Sequence, residues 1–194
     1  MVAQPQLLAT AGARFARVFT KPGTHPFDAI TWTKRKAIIS EPDKTVVFEM
    51  DDVEVPETWT QLATDIAASK YLRKAGVPDG GQEKSVKQVV HRIAHSIRIH
   101  GEENGYFASA EDAETFEMEL TFLLVNQYGA FNSPVWFNCG LYQEYGIAGA
   151  SGNWRYDSTR GEAAMLERAY EYPQSSACFI QRVDDDLMSI FTLL

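Results

Sequence analysis

The sequence predicts an α+β to α/β fold, in which a mostly helical N-terminal domain with a small hairpin leads into the start of an α/β domain. Three observations support this prediction. Two β-branched or apolar runs flank a turn at Pro42, three segments repeat apolar residues at helical spacing, and an apolar run near the C-terminus changes into a helical pattern. The expected divisions are a lead at residues 1–26, the helical domain at 27–130 and the α/β region at 131–194.

The lead and the hairpin come first along the chain. The spacing of apolar residues within 14–19 permits a short helix, which Lys21-Pro22-Gly23 would break. Residues 36–40 and 45–49 are predicted strands, because the Glu-Pro-Asp-Lys sequence between them is typical of a turn with proline at its second position. Residues 51–56 are predicted to form an acidic linker.

Three helices are predicted next, each from apolar residues that share one face and from signals at its ends. The first is predicted at residues 57–75, and the second at residues 84–100, where Gly101 is expected to end it. The third is predicted to begin at Ser109, which suits a capping position, and to continue to Tyr128.

The last third of the chain differs from the rest in composition and in the spacing of its apolar residues. Residues 143–162 are rich in Gly, Ser and Tyr, which predicts a loop, and residues 162–170 are predicted to form one short helix. Residues 177–183 are predicted to form a buried strand, and helical spacing resumes at Leu187. Because a strand followed by a helix normally continues to a parallel neighbour, we expect the second domain to be incomplete.

Composition and charge exclude several classes of protein. The 194 residues are 45% apolar and 23% charged, which excludes wholesale disorder, and the apolar runs are too short to span a bilayer. The net charge of −8 argues against broad binding to nucleic acid. The N-terminus lacks the pattern of a secretory signal, and two cysteines are too few for a disulfide scaffold, so we expect a cytoplasmic location.

Three polar patterns carry candidate chemistry beside simpler interpretations. His91 and His95 lie one helical turn apart, a spacing that can bind a metal, but the Glu of a protease motif is missing between them. A solvated or structural pair is favoured, and no metal site is predicted. Lys34-Arg35-Lys36 suits a phosphate, yet it fits a solvated hairpin edge better. One residue of Asp184-Asp185-Asp186 is expected to cap the last helix, while the three together also suit a hydroxyl-bearing ligand or a metal.

The two cysteines are interpreted differently. Cys139 is expected to be a buried small residue, as free cysteines usually are. Cys178 follows small residues and precedes an apolar run, so its thiol can face a cavity in which those neighbours leave room for a substrate. From spacing alone, a core cysteine remains the alternative interpretation of Cys178.

Three motifs carry a resemblance to a known family. They are Phe-Asn-Ser-Pro-Val-Trp-Phe-Asn-Cys-Gly-Leu at 131–141, Ser-Ala-Cys-Phe-Ile-Gln at 176–181 and Asp-Asp-Asp-Leu-Met-Ser-Ile-Phe at 184–191. In this order they resemble the adenosylcobalamin-dependent, class II ribonucleotide reductases. Residues 59–73 fit as well, and the resemblance covers roughly residues 27–191.

The resemblance implies a fold, an activity and partners. It implies a ten-stranded α/β barrel that converts ribonucleotides into deoxyribonucleotides for DNA synthesis and repair. Adenosylcobalamin is the implied cofactor, which generates a thiyl radical on one cysteine, and a pair of cysteines then supplies two electrons. The implied partners are the ribonucleotide substrate, a deoxynucleotide effector, the remainder of the barrel, a second copy in a homodimer and a thioredoxin-type reductant.

The resemblance also assigns residues. It implies that Cys178 is one cysteine of the reducing pair, on the first barrel strand. The implied substrate contacts are Ser133 and the backbone at Ala177 and Cys178. The implied effector contacts are Asp185, Asp186 and Leu187. Because the family needs at least three active-site cysteines and this chain has two in total, we expect the chain alone to be inactive, with most of the cofactor site outside it.

Two other classes of function stay open. A helical binding module would retain a nucleotide-effector contact or a subunit interface without catalysis, and a metal site on His91 and His95 would bind metal stoichiometrically. We also expect residues 27–130 to fold best, since an isolated strand at 177–183 would expose an unpaired edge.

Overall fold

Helices and two small antiparallel hairpins make up the α+β fold of the computed structural model, which describes residues 12–194. Among these residues, no helix combines the length and the apolar character needed to cross a membrane. The elements in chain order are β1 (Trp32–Ser40), β2 (Val46–Pro56), α1 (Gln61–Ile66), α2 (Val86–Glu103), α3 (Ala110–Val125), α4 (Ser133–Asn138), α5 (Leu141–Tyr145), β3 (Trp154–Asp157), β4 (Glu162–Met165) and α6 (Leu187–Leu193).

The described part of the lead forms no helix over residues 14–19, so the helix predicted there is wrong. Side chains of α3 bind the backbone of this segment. Glu119 accepts the N–H of Phe19 at 3.0 Å, a donor that a helix over residues 14–19 would have used. Asp112 accepts from the N–H of Phe15 at 2.8 Å, and Glu119 accepts from the N–H of Thr20 at 2.9 Å. The part of the predicted lead at residues 1–11 lies outside the described residues.

The predicted hairpin is confirmed and is longer than expected. β1 and β2 pair antiparallel from Trp32–Pro56 to Ser40–Val46, so the predicted acidic linker at residues 51–56 is wrong and belongs to β2. One extra residue in β2 lies opposite Lys36, and such a bulge shifts the alternation of side chains. Apolar residues on both sides of it therefore stay on the buried face: Met50, Val53 and Val55.

The first helix is shorter than predicted. Thr60 caps α1 by accepting the N–H of Ala63 at 3.1 Å, and the helix widens into one π turn at Ala67–Tyr71. The chain leaves the helix at Leu72, in an extended conformation, well before the predicted end.

The second and third helices begin where the sequence predicts. Ser85 forms a capping box at the start of α2, and Ser109 caps α3. Gly101 does not end α2, which continues to Glu103. A Cβ at Gly101 would lie 2.5 Å from the ring of Phe107, so this glycine serves close packing inside the helix. α3 ends at Val125 rather than at Tyr128.

The core lies between β2, the π turn, α2 and the end of α3, and α4 packs at its edge. Apolar residues at helical spacing on α2 face the buried side of the hairpin, which explains why both elements form together. The buried residues of this cluster are Ala37, Met50, Val53, Val55, Ala68, Leu72, Val86, Val89, Val90, Ile93, Leu124 and Val135.

The last third departs most from the predictions. The predicted loop at residues 143–162 contains the end of α5 and the strand β3, and the predicted helix at residues 162–170 is wrong because β4 pairs with β3. Residues 177–183 form no strand and are exposed, since no strand in the described part of the chain pairs with them. The helix predicted from Leu187 is confirmed as α6. The barrel and the domain divisions stay predictions.

Candidate functional site

A buried arginine organises the region around the predicted substrate-binding residues. Arg92 lies on α2, where the helical spacing turns it into the core, and its side chain is 1% exposed. Its Nε lies 2.8 Å from Glu83 Oε1, while its Nη atoms donate to the carbonyls of Cys139 at 2.6 Å and Trp136 at 2.7 Å. The guanidinium thus binds the last carbonyls of α4, which a helix leaves without partners.

Glu83 completes the buried network. Its carboxylate accepts the backbone N–H of Arg73 at 2.7 Å and the hydroxyl of Tyr145 at 2.9 Å, so both oxygens have partners. Burial, followed by the neighbouring Glu83 carboxylate, raises the pKa of Tyr145 well above its usual range. The phenol therefore stays protonated and donates its hydrogen bond at any physiological pH.

Gly140 allows the chain after α4 to approach α2 closely. Its φ is +78°, and a Cβ placed on it would lie 2.2 Å from the carbonyl oxygen of Arg92. Glycine is required on both counts, since it adopts this conformation without a steric penalty and leaves space for the α2 backbone. The glycine that follows Cys139 in the motif at residues 131–141 is therefore required by the packing of the chain against α2.

Ser133, a predicted substrate contact, begins α4. Asn132 caps this helix and Pro134 occupies its first turn, where proline is well tolerated. Ser133 is partly buried, and its hydroxyl oxygen lies 3.3 Å from the hydroxyl of Tyr71. The ring of Tyr71 stacks on Phe137 at 5.4 Å between centroids, which fixes the direction of that hydroxyl. Ser133 is thus held beside a second hydroxyl. One of the two O–H groups is used in the hydrogen bond between them, and the other can donate to a ligand.

Residues 174–175 dock onto the C-terminal end of α4. The side-chain amide of Asn138 donates to the carbonyl of Gln174 at 3.1 Å, and Cys139 Sγ lies 3.3 Å from Ser175 Oγ. Burial raises the pKa of the Cys139 thiol, although the hydrogen bond with Ser175 and the charge of Arg92 act against it. Cys139 therefore remains a neutral, half-buried thiol, in line with the structural role predicted for it.

Ala177 and Cys178 follow this docked segment and are exposed. No hydrogen bond in the described part of the chain joins them to Ser133. Phe179 is 66% exposed and Ile180 is fully exposed, so the apolar run that follows Cys178 is uncovered. The structure therefore brings the segment before Cys178 to α4 but does not assemble the predicted substrate contacts into one pocket.

The three aspartates have separate environments. Asp186 caps α6, accepting the N–H of Ser189 at 2.9 Å, which confirms the expected cap. Asp184 accepts from Arg182 at 2.8 Å. Asp185 and Leu187, the other two predicted effector contacts, are exposed.

Two residues of the basic run at 34–36 on β1 are paired with neighbouring groups of the chain. Lys36 is half-exposed and forms ion pairs with Glu49 and Asp51, and the hydrogen bond with Glu49 is the main cause that raises its pKa. Arg35 donates to the carbonyl of Glu57 at 2.9 Å. This arrangement agrees with a hairpin edge rather than a phosphate site.

The structure adds an acidic partner to the histidine pair, and sequence spacing could not reveal it. Glu144 on α5 lies against His91 and His95 on α2, although about fifty positions separate them in sequence. The ligand-capable atoms of the three residues all lie within 4.8 Å of one another. A contact between two helices gives no local periodic signal, which is why the spacing pointed only to the pair.

Comparisons with known proteins agree on one family. Residues 33–127 match the family described as class II vitamin B12-dependent ribonucleotide reductase. The chain is 43% identical over 184 residues to the vitamin B12-dependent ribonucleotide reductase of Rhodopirellula baltica, covering 94% of this chain and 18% of the relative. The proteins of the same name from Streptomyces coelicolor and Agrobacterium fabrum are 41% and 37% identical, covering 94% and 91% of this chain. The chain spans 16% of the length of each of these two relatives.

Proposed function

Because the chain belongs, as an N-terminal region, to the class II vitamin B12-dependent ribonucleotide reductases, we propose that it contributes substrate-binding and reducing groups to the conversion of ribonucleotides into deoxyribonucleotides. The docking of residues 174–175 onto the end of α4 carries this proposal. It anchors the segment that leads to Cys178 on the helix that begins with Ser133.

Cys178 is the reducing group in this proposal. Replacing a ribose hydroxyl by hydrogen consumes two electrons and two protons, which two thiols supply when they become a disulfide, and the hydroxyl leaves as water. Cys178 provides one thiol, and the second lies outside this chain. Cys178 is a free thiol in the described part of the chain, so it is available to form this disulfide.

Ser133 and the backbone at Ala177 and Cys178 hold the substrate. The hydroxyl groups of Ser133 and Tyr71 form a hydrogen bond at 3.3 Å, and the O–H that is not used between them is a donor for a phosphate or a ribose hydroxyl. Residues 177–178 carry backbone N–H groups that make no hydrogen bond in the described part of the chain, so they remain free to donate.

The remaining barrel covers the exposed C-terminal segment in this proposal. Phe179, Ile180 and several apolar residues of α6 are exposed, and an uncovered apolar surface of this kind usually meets other protein. In that setting residues 177–183 become the first strand of a ten-stranded barrel. Asp185, Asp186 and Leu187 then contact a deoxynucleotide effector near the interface of a homodimer, in a cytoplasmic enzyme that a thioredoxin-type protein re-reduces.

The proposed cofactor is adenosylcobalamin, which supplies the radical chemistry when bound. The described residues do not fit it. A cavity of about 1160 Å³ among them is an open trough beside α2 and α5, with polar side chains such as His100, Glu103 and Gln143 on its walls. Such a trough is not the enclosed apolar pocket that buries a large cofactor. We therefore assign no residue of this chain to cofactor binding.

The proposal is tested by Cys178→Ser in the complete reductase that contains this chain, assayed with dithiothreitol as the reductant. We expect multiple turnover to be lost, because one of the two reducing thiols is gone. Cys139→Ser is the matched control, since Cys139 is the other cysteine of the chain, and it should retain turnover. Turnover by Cys178→Ser at the unmodified rate would refute the assigned role.

A further inference from the structure

A cluster outside the proposed reductase site has the composition of a metal centre. The rings of His91 and His95 stack on one face of α2, with centroids 5.0 Å apart and an angle of 20° between the planes. Glu144 reaches them from α5, with its Oε2 3.5 Å from His91 Nε2 and its Oε1 3.8 Å from His95 Nε2.

We propose that His91, His95 and Glu144 bind a divalent transition-metal ion of the Zn²⁺ class. Two imidazole nitrogens and one carboxylate form the donor set of many three-ligand zinc sites, and His residues four positions apart on a helix present both rings to one ion. Zn²⁺ bonds of about 2.0–2.1 Å in tetrahedral geometry place ligand atoms about 3.4 Å apart. The separations of 3.5 and 3.8 Å, which involve different oxygens of Glu144, are close to this value. All three ligand atoms lie within 4.8 Å of one another, so small side-chain movements bring them to the spacing that an ion requires.

A second carboxylate, that of Glu117, orients the ring of His95 for metal binding. Glu117, on α3, is buried, and its Oε1 lies 3.1 Å from His95 Nδ1. A carboxylate accepts only, so this contact assigns the proton to Nδ1 and leaves the lone pair of Nε2 facing Glu144. Metal-ligating histidines usually donate their other N–H to such a carboxylate.

Arg98 forms an ion pair with the buried Glu117 and thereby stabilises its carboxylate. The guanidinium Nη2 also lies 3.3 Å from His95 Nδ1. The carboxylate lies nearer to Nδ1 than the guanidinium does, so the tautomer with Nδ1–H remains favoured. The alternative to a metal site is an ion pair between Glu144 and a protonated histidine, which would bind no Zn²⁺ stoichiometrically.

The ion would connect two elements that are distant in sequence. His91 and His95 belong to α2, Glu144 belongs to α5, and Tyr145 beside it donates to the buried Glu83. His91 is 47% exposed, which leaves an entry path and an open coordination position for water. The site does not depend on the proposed reductase activity, because none of its residues is assigned there.

The experiment is a titration of the metal-free full chain with Zn²⁺ against a chromophoric chelator, and a parallel titration with Co²⁺. We expect one Zn²⁺ per chain and a visible Co²⁺ absorption typical of four-coordinate geometry. His91→Ala and the near-isosteric Glu144→Gln should lose stoichiometric binding. Glu117→Gln, which keeps all three ligands, should weaken binding by about 10–100-fold.

His100→Ala is the matched control, since His100 is on the same helix but outside the cluster, and it should bind Zn²⁺ as the unmodified chain does. Circular dichroism without metal identifies any variant that fails to fold, and Glu144→Gln then decides in place of His91→Ala. The absence of stoichiometric binding by the folded, unmodified chain would overturn the proposal. So would unchanged binding by Glu144→Gln, or an equal loss in His100→Ala.

Discussion

Arg92 and Glu83 form an ion pair that solvent does not reach, with 2.8 Å between Nε and Oε1 and side chains that are 1% and 0% exposed. Charges in such a position are costly unless every donor and acceptor finds a partner. The carbonyls of Trp136 and Cys139 bind the guanidinium, and the hydroxyl of Tyr145 binds the carboxylate. The pair therefore sets how α4, which carries Ser133, sits on α2.

We predict that Arg92→Met destabilises the chain by about 3–5 kcal/mol, because Glu83 would be left as an uncompensated buried charge. The measurement is the free energy of unfolding in urea, followed by circular dichroism. The double variant Arg92→Met with Glu83→Leu should be less unstable than the sum of the two single variants, since it removes both charges.

The control for this prediction is an exposed ion pair of the same chain. Arg182 is 89% exposed and pairs with Asp184, so Arg182→Met should change the unfolding free energy by less than about 1 kcal/mol. Equal effects of Arg92→Met and Arg182→Met would contradict the role given to the buried pair.

Gly140→Ala should be much more harmful than Gly23→Ala. Both glycines have a positive φ, +78° and +73°, so an alanine at either position costs about 1–2 kcal/mol of backbone strain. At Gly140 the new Cβ also meets the carbonyl of Arg92 at 2.2 Å, whereas nothing lies within 4 Å at Gly23. We expect a further loss of about 1–3 kcal/mol at Gly140, measured by urea unfolding of both variants.

Local signals predicted where α2 and α3 begin. Ser109 caps α3 as predicted, because an N-cap depends on residues within one turn, and Ser85 caps α2 next to the predicted start at residue 84. The hairpin was also predicted from a local signal, the Glu-Pro-Asp-Lys turn between its strands. The bulge opposite Lys36 escaped prediction, since the extra residue is defined only by the register with the partner strand.

The features that the sequence did not predict depend on contacts between residues that are distant along the chain. Residues 14–19 were expected to be helical, but carboxylates of α3, about a hundred positions away in sequence, accept N–H groups of their backbone. The partners of Arg92 and the approach of Glu144 to His95 likewise join distant segments. The motifs that carry the family resemblance predicted site residues and their roles, but they gave no indication of these contacts.

The two thiols should react at different rates. Cys178 is exposed, whereas Cys139 is half-buried and its pKa is raised by that burial, which lowers its thiolate fraction at neutral pH. With an aromatic disulfide reagent at neutral pH we expect one fast and one slow equivalent, and two fast equivalents in denaturant. Cys178→Ser should remove the fast phase and Cys139→Ser the slow one. A single rate for both thiols in the folded chain would contradict this assignment.

The docking of the lead onto α3 should weaken in acid. Burial opposes ionisation of Glu119, but hydrogen bonds from the Thr20 side chain and from the backbone N–H groups of Phe19 and Thr20 outweigh it and hold its pKa below 4.5. A lowered pKa in the folded state means that this stabilisation is complete above about pH 4.5 and is lost as the pH falls through the lower folded value.

Glu119→Gln measures this contribution. We expect the variant to be less stable than the unmodified chain at pH 7, with a difference in unfolding free energy that shrinks as the pH falls below 4.5. Glu111→Gln, at an exposed position of the same helix, should show a small difference at every pH. Because the lead contacts α3 through Glu119, cleavage by trypsin after Arg17 should also be faster in Glu119→Gln than in Glu111→Gln at pH 7. Equal cleavage rates and equal pH profiles would show that Glu119 does not hold the lead in place.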